Sequence, residues 1–453
     1  MQLLTISAGL LFFITYILMF AFQKIRPHVA LISAFLFVLA GSLSLFPTYR
    51  YTVKDALLTV DWNVLMMIAG TMGTVYLFIE SRMPERMSEI LVSRIHTARY
   101  IIVVLSLFAG FISAFVDNVA TVLMVAPVAL AICKEIETSP VPAIICIAIS
   151  SNLQGAATLV GDTTSILLGK AAHLDFMDFF FLQGKAGMFW VTEAGALLSA
   201  LILLFLLRKE KKAVFINTKT KVEDKVPALL LLLTIGTLIG ASFIPYRDMA
   251  QPGGLYKPEV TNGLICLLYF AVGIIRACRK ARSPRPLKEA LRSIDYYTLS
   301  LLAGLFIIIG GITRAGLIDR IGVFLAGIGG DGSQRSVFLI YSLIVWGSVL
   351  CSAFIDNIPY TATMLPVVEV VSHTLSQAGG LTISPYLFFF GLLVGATLGG
   401  NITPIGASAN ITGIGLLRKE GYTVPASSFM KYSVPFTLTA VTTGYLLVWA
   451  LWF

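Results

Sequence analysis

Two short stretches place a carboxylate and an amide in the middle of long apolar runs. Residues 113–118 read Ser-Ala-Phe-Val-Asp-Asn, and residues 352–357 read Ser-Ala-Phe-Ile-Asp-Asn. A charged side chain at the centre of a bilayer costs roughly 2.5 to 3.5 kcal/mol on insertion scales. A chain with two such carboxylates at matching positions is therefore expected to use them. Oxygen ligands of this type suit a sodium ion, and a buried carboxylate can alternatively carry a proton.

The composition places these stretches in a polytopic membrane protein. Of the 453 residues, 57% are hydrophobic and 13% are charged, and the mean hydropathy is +0.86. A spanning helix needs about 20 apolar residues. Runs of suitable length predict crossings at 3–22, 28–46, 62–80, 186–207, 227–244, 260–277, 297–313 and 433–452.

Several other classes of protein are disfavoured. There is no GxxxxGK[ST] loop for ATP, and the five cysteines are scattered without a metal-binding spacing. The apolar segments contain no paired nucleophile and base, so we do not expect an enzyme. A net charge of +9 is more simply explained by basic loops that set membrane orientation than by nucleic acid. The sequence indicates no cofactor other than a coupling ion, sodium or proton.

Four segments do not fit a simple crossing helix. Residues 100–132 and 335–371 are too long for one crossing and are interrupted by Asp-Asn, which predicts re-entrant hairpins with polar tips. Residues 141–170 and 384–415 are interrupted by runs rich in Gly, Thr, Ser and Asn, which predicts crossing helices that are unwound in the middle. Irregular backbone at membrane depth is tolerated where protein packs around it or where it lines a cavity.

Internal repetition divides the chain into two halves. The paired motifs are Asp61-Trp62 with Asp295-Tyr296, Asp117-Asn118 with Asp356-Asn357, and Thr158-x-x-Gly161 with Thr403-x-x-Gly406. We predict an N-terminal repeat at 1–207, an inter-repeat loop at 208–226 and a C-terminal repeat at 227–453. Each repeat then has five crossings and one hairpin. An odd number of crossings makes the second repeat start on the opposite side of the membrane from the first. The two repeats are therefore inverted, as in many secondary transporters. The predicted fold is an all-α membrane protein with about ten transmembrane helices.

The basic residues predict the orientation. Most of the 33 Lys and Arg residues fall on one side of this topology, including those of 208–226 and 278–296. By the positive-inside rule this side is cytoplasmic, so both termini lie outside a cytoplasmic membrane.

The candidate ion-binding residues form two clusters at the predicted breaks, where helix ends can hold ions. The first cluster is Asp117, Asn118, Thr121, Asn152, Thr158, Gly161, Asp162, Thr163 and Thr164. The second cluster is Asp356, Asn357, Thr361, Asn401, Thr403, Gly406, Ser408 and Asn410. Possible sodium sites are Asp117, Asn118 and Asp162 in one half, and Asp356, Asn357 and Asn410 in the other. The polar side chains can alternatively cap broken helices, and the glycines can serve backbone shape.

At these residues the sequence resembles the ion transporter superfamily of arsenite permeases, NhaD-type sodium/proton antiporters, the P protein and citrate or dicarboxylate transporters. The most specific motif is Gly-Gly-Asn-Ile-Thr-Pro-Ile-Gly-Ala-Ser-Ala-Asn at 399–410. The resemblance implies hairpin tips at the two Asp-Asn pairs, discontinuous helices at 152–165 and 400–410, a homodimer, and an elevator-like movement of the domain that carries the hairpins.

The motifs also bear on the cargo. The dicarboxylate branch typically has Ser-Asn-Thr at its tips, whereas this chain has Asp-Asn. Gly-Asp-Thr-Thr at 161–164 resembles the antiporters, and Thr-Pro-Ile-Gly at 403–406 resembles the arsenite permeases. We therefore predict an ion-coupled secondary transporter of a small inorganic ion or oxyanion, similar to an arsenite or anion permease. Sodium/proton antiport is the first alternative, and transport of citrate or a dicarboxylate is the second.

Overall fold

The computed structural model describes residues 2–43, 46–213, 220–246, 255–330, 332–379 and 383–453. The described part of the first half forms helices α1 Gln2–Ala21, α2 Arg26–Ser42, α3 Val53–Thr59, α4 Trp62–Glu80, α5 Met83–Val92, α6 Ala98–Ser113, α7 Asn118–Glu135, α8 Val141–Gln154, α9 Thr163–Ala171 and α10 Met188–Leu206. The described part of the second half forms α11 Val226–Ser242, α12 Thr261–Ala281, α13 Arg285–Ser293, α14 Tyr296–Arg314, α15 Leu317–Gly329, α16 Gln334–Ser352, α17 Asn357–Gly379, α18 Pro385–Gly399, α19 Ser408–Lys419 and α20 Ala426–Trp452. A short antiparallel pair, β1 Phe181–Leu182 and β2 Lys185–Ala186, precedes α10.

Helices α6 and α7 form the first hairpin. The backbone N–H of Ala98 donates to the carbonyl of Lys212 at 3.0 Å. The ammonium group of Lys212 donates to the carbonyls of Ile136 at 3.0 Å and Glu137 at 2.8 Å. The start of α6 and the end of α7 therefore lie side by side, and the chain reverses at residues 114–117.

Helices α16 and α17 form the second hairpin. The hydroxyls of Ser348 and Tyr360 lie 3.0 Å apart across the reversal at residues 353–356. In both hairpins the second helix begins at the Asn of the Asp-Asn pair, where the sequence predicted the tip. The arms extend slightly beyond the predicted 100–132 and 335–371.

The two predicted discontinuous helices are also present. Helix α8 ends at Gln154, and a 3-10 turn at Gly155–Ala157 leads to irregular chain before α9 begins at Thr163. In the second half a 3-10 turn at Gly400–Ile402 separates α18 from α19. The break between the two helical parts has a similar length in both halves, as expected if the halves arose by duplication.

The order of helices in one half matches the order in the other, from α1 with α11 to α10 with α20. The helix contacts agree with this match. Helix α2 contacts α14, and the counterpart of α2, which is α12, contacts α4, the counterpart of α14. Helix α10 packs against its own counterpart α20. These are the contacts that a two-fold relation between the halves requires, and the predicted inverted-repeat fold is confirmed.

Ten helices within the described residues are long and apolar enough to cross a membrane. The number of these helices agrees with the ten predicted crossings, but the set of helices differs. It includes the hairpin arms α7 and α16, and it leaves out α8 and α11, which are shorter. Length alone cannot separate a long hairpin arm from a crossing, nor recognise a crossing whose helix is broken.

The predicted inter-repeat loop at 208–226 is described except for residues 214–219, so its placement as a boundary stays a prediction. Its end is tied to α12 by ion pairs from Asp224 to Arg276 at 2.6 Å and to Lys280 at 3.2 Å. Burial opposes ionisation of Asp224, but hydrogen bonds from Arg276, Val226 and Lys280 outweigh it and lower its pKa to about 2.

Candidate functional site

The first hairpin tip is organised by Asp117, which caps α7. One carboxylate oxygen accepts the backbone N–H groups of Val119 at 3.0 Å and Ala120 at 3.1 Å. An acidic cap satisfies N–H groups that the first turn of a helix leaves unpaired, and it complements the helix dipole. The break between α6 and α7 thus places a carboxylate at a helix N-terminus inside the apolar bundle.

The first broken helix is fixed to this tip. The hydroxyl of Thr158 donates to the carbonyl of Ala114. A Cβ added to Gly161 would come within 2.6 Å of the Gly155 carbonyl oxygen and 2.7 Å of the Ala114 carbonyl oxygen, so only glycine fits. Asp162 follows directly and caps α9, accepting from the Thr163 N–H at 2.8 Å.

The second half repeats this geometry. The hydroxyl of Thr403 donates to the carbonyl of Ala353. A Cβ on Gly406 would come within 2.5 Å of the Gly400 carbonyl oxygen and 2.9 Å of the Ala353 carbonyl oxygen. Asp356 accepts the N–H of Ile358 at 3.1 Å. The Thr-x-x-Gly motifs therefore have the same task in both halves, which is to hold a broken helix against a hairpin tip.

Side-chain amides tie the two broken helices to each other. The amide of Asn152 donates to the Thr397 carbonyl at 2.8 Å, and the amide of Asn401 donates to the Ile149 carbonyl at 2.8 Å. The hydroxyls of Thr164 and Thr397 lie 2.9 Å apart. These predicted site residues have a clear structural role at the centre of the fold.

Two further predicted amides also make structural bonds. Asn118 donates to the side-chain oxygen of Asn152 at 3.1 Å. Asn410 donates to the carbonyls of Gly400 at 3.2 Å and Thr403 at 3.1 Å.

Four oxygens of predicted site residues keep acceptor capacity. They are fully or almost fully buried and have no hydrogen-bond partner among the described residues: the hydroxyls of Thr121 and Thr361 and the side-chain carbonyls of Asn401 and Asn410. Thr121 and Thr361 stand four residues after Asp117 and five after Asp356, one turn into the second arm of each hairpin. Oxygens of this kind are available to a cation or a water molecule.

A cavity of about 190 Å³ lies between the two tips and helices α4 and α14. Six predicted residues line it: Asp117, Asn118, Asp162, Thr163, Asn357 and Ser408. The other predicted residues are not among those that line it: Thr121, Asn152, Thr158, Gly161, Thr164, Asp356, Thr361, Asn401, Thr403, Gly406 and Asn410. The structure thus brings the first proposed sodium set, Asp117, Asn118 and Asp162, to one cavity, whereas only Asn357 of the second set reaches it.

Two charged residues near the tips were not predicted. Asp295 lines the same cavity, where it caps α14 by accepting the Thr298 N–H at 3.1 Å. In the sequence it appeared only as the repeat partner of Asp61, which instead lies 3.6 Å from the Lys170 ammonium group. Three carboxylates therefore share the cavity, and none of the described residues that line it is Lys or Arg.

The second unpredicted residue is Arg26, at the start of α2. Its guanidinium pairs with the Asp356 carboxylate at 2.9 Å, and the two side chains are only 10% and 15% exposed. In the sequence Arg26 is one of 33 basic residues and belongs to no predicted site. Its position two residues after Lys24 and at a helix end gave no signal of a buried partner.

A larger cavity of about 770 Å³ contains none of the predicted site residues. It lies at the start of α4 and α12, and its charged groups are paired: Lys257 with Asp175 at 2.6 Å, and Lys170 with Glu259 at 2.7 Å. Because these charges neutralise each other, size alone does not make this cavity the better candidate.

Paired hairpin tips, two broken helices and a polar cavity between inverted repeats define a secondary transporter. The chain belongs to the family whose model is described as "Citrate transporter", which matches residues 16–390. The resemblance stated from the motifs is confirmed.

Individual relatives agree with this class. The chain is 28% identical over 398 residues to an uncharacterized transporter of Mycobacterium tuberculosis, covering 87% of each protein. It is 27% identical over 457 residues to the human P protein (Homo sapiens), covering 86% of this chain and 54% of that protein. The structure of the YdaH transporter of Alcanivorax borkumensis is similar in fold, with a TM-score of 0.60 and 16% identity over 87% of this chain and 86% of that one.

Proposed function

We propose that this secondary transporter moves a small inorganic ion or oxyanion across the cytoplasmic membrane, coupled to sodium or protons that bind at the first hairpin tip. The observation that carries the proposal is the charge of the cavity: Asp117, Asp162 and Asp295 line it without a basic residue among its described lining. Carboxylates in a confined space repel one another and favour the uptake of a cation or a proton.

This charge pattern constrains how an anionic cargo binds. A free anion would face three carboxylates, so it requires neutralisation by a co-bound cation or by protonation. The N-terminus of α19, where Ser408 lines the cavity, offers backbone N–H groups for the anion. Cation and anion would then bind together and cross together.

Sodium/proton exchange is the second candidate, and the same observation favours it. If sodium and protons compete for the cavity carboxylates, no anion is needed. Citrate is a third candidate, suggested by the description of the family model.

Transport by purified protein in proteoliposomes separates these candidates. Uptake of arsenite, phosphate and citrate is measured with and without an inward sodium gradient, and a pH dye trapped inside reports proton movement. Sodium-stimulated or proton-stimulated uptake of one anion supports the first proposal. Dye response to sodium with no anion present indicates exchange. Uptake that is indifferent to both sodium and pH would contradict cation coupling altogether.

The homodimer, the elevator-like movement and the outside location of both termini remain predictions of the same scheme. Cysteines introduced in 278–296 should resist an impermeant reagent added outside intact cells, because that segment is predicted to be cytoplasmic.

A further inference from the structure

The two hairpin tips differ in what faces their carboxylates. Asp117 accepts two backbone N–H groups and belongs to none of the ion pairs formed by the described residues. Asp356 accepts one backbone N–H on one oxygen and the Arg26 guanidinium on the other. The same tip backbone therefore carries a carboxyl group outside any described ion pair in one half and a carboxylate paired with a guanidinium in the other.

Arg26 is built into this position. Its Nε donates to the carbonyl of Met19 at 3.0 Å, so the guanidinium is held from the α1 end as well as by the carboxylate. The residue as a whole is 8% exposed. A flexible pair on the surface contributes little, whereas a buried guanidinium with two fixed acceptors is a defined site.

Neighbouring contacts keep Asp356 within reach of Arg26. The Tyr16 hydroxyl on α1 donates to the Pro359 carbonyl at 2.7 Å and lies against the Thr363 hydroxyl. The second tip is thus docked on α1 and α2 through the side chains of Tyr16 and Arg26.

Among the described residues, no Lys or Arg lines the cavity at the first tip. Val75 and Ile79 on α4 line the same cavity as Asp117, and the charged residue at the start of α14 that lines it is the acidic Asp295. Helix α12, the counterpart of α2, begins with Thr261 and Asn262 and has no basic residue in its first turn. Because no described cation pairs with Asp117, we expect a cation or a proton from solution to neutralise this tip.

We propose that the Arg26 guanidinium occupies, at the second tip, the place that a coupling cation occupies at the first. The carrier then binds one coupling cation, at Asp117, although its sequence contains two matching Asp-Asn tips. This inference rests on the proposed cation coupling and adds the number and location of the cations. An alternative is that the pair only fastens the hairpin to α2, in which case removal of Arg26 would leave the cation count unchanged.

The test counts cations bound by the purified protein in lipid nanodiscs. Equilibrium binding of radioactive sodium is titrated at fixed pH, and a pH indicator records proton release in parallel. For wild type we expect one site with a Hill coefficient near one, and Asp117→Asn should weaken binding by about 100-fold. Arg26→Gln frees the Asp356 carboxylate from its guanidinium partner and should add a second site, raising the sodium bound at saturation from one to two ions per protein.

Matched variants make the result specific. Arg26→Gln/Asp356→Asn should return to one site, because the second carboxylate is gone. Arg26→Lys should keep one site, because a tethered cation remains. Lys24→Gln removes an exposed charge two residues away and should bind like wild type.

The outcomes are separable. Two sites in wild type, or a single site in folded Arg26→Gln, would overturn the inference while leaving cation coupling intact. If Arg26→Gln fails to fold, the numbers of sites in wild type and in Arg26→Gln/Asp356→Asn decide. Two sites in wild type and one in the double variant would show that Asp356 binds a cation despite Arg26. No sodium binding in wild type, together with uptake that does not respond to pH, would instead overturn the proposed function.

Discussion

The two hairpin tips share a backbone and differ in electrostatics. In each half a Thr hydroxyl and a Gly without room for a side chain hold the broken helix against the tip carbonyls. Yet Asp117 borders a cavity with two other carboxylates, while Asp356 is paired with Arg26. The two halves therefore share the parts that shape the tips and differ in the charged parts, as expected if only the first tip binds a coupling cation.

The largest effect is expected where the halves are the same. Gly161→Ala and Gly406→Ala each drive a Cβ into two backbone carbonyls, which cannot move aside, and should each cost about 3 kcal/mol or more of stability. Thermal unfolding in detergent measures the loss. Gly236→Ala on α11 is the control, because nothing lies within 4 Å of its added Cβ. If Gly406→Ala keeps its stability while Gly161→Ala loses it, the two tips are not structurally equivalent.

The next effect separates the two tips by function. Asp117→Asn removes the charge but keeps an oxygen that can cap α7, so the protein should fold while cation affinity falls by about 100-fold, the scale of one close charge pair in a partly buried site. Sodium-dependent uptake in proteoliposomes measures this, with the exposed Asp319→Asn as control. An unchanged affinity would remove Asp117 from the site.

The corresponding change at the second tip should act on stability. Asp356→Asn leaves the Arg26 guanidinium buried without a counter-charge, which we expect to cost about 3 kcal/mol. Arg26→Gln/Asp356→Asn should recover much of that loss, because no unpaired charge remains. Thermal unfolding of Asp356→Asn, Arg26→Gln and the double variant gives the coupling energy between the two side chains. Additive losses would show that the pair contributes nothing of its own.

The smallest effect is expected at Asp162, which has Ala407 as its counterpart. Asp162→Asn keeps an acceptor for the Thr163 N–H and should reduce affinity by about tenfold or less. In an exchanger the same change should also shift the pH profile of transport, whereas in an anion carrier the sodium or proton dependence should remain. Uptake across pH at fixed sodium distinguishes the two. Identical affinity and pH dependence would show that Asp162 lies outside the site.

The sequence predicted the tips and breaks because each interrupts a long apolar run with residues that a buried helix rarely contains. Asp117 and Asp356 were visible for this reason. Arg26 and Asp295 were not, because each stands at a helix end next to a loop, where charge is ordinary and carries no information about a distant partner. Arg26 and Asp356 are 330 residues apart in the chain. Pairs of residues this far apart in the chain form only through the packing of the two halves. The local sequence around each residue does not show that packing.

The crossed amide bonds between the broken helices have a consequence for biosynthesis. The acceptors of Asn152 and Asn401 lie 245 and 252 residues away along the chain. When the ribosome has completed only the first half, Asn152 has no Thr397 carbonyl to bind, and a buried polar group without its partner is costly. Nascent chains truncated after α10 should therefore remain sensitive to protease around α8 and α9, and should become resistant once α18 is inserted. The candidate site is therefore expected to assemble only after α18 has been synthesised.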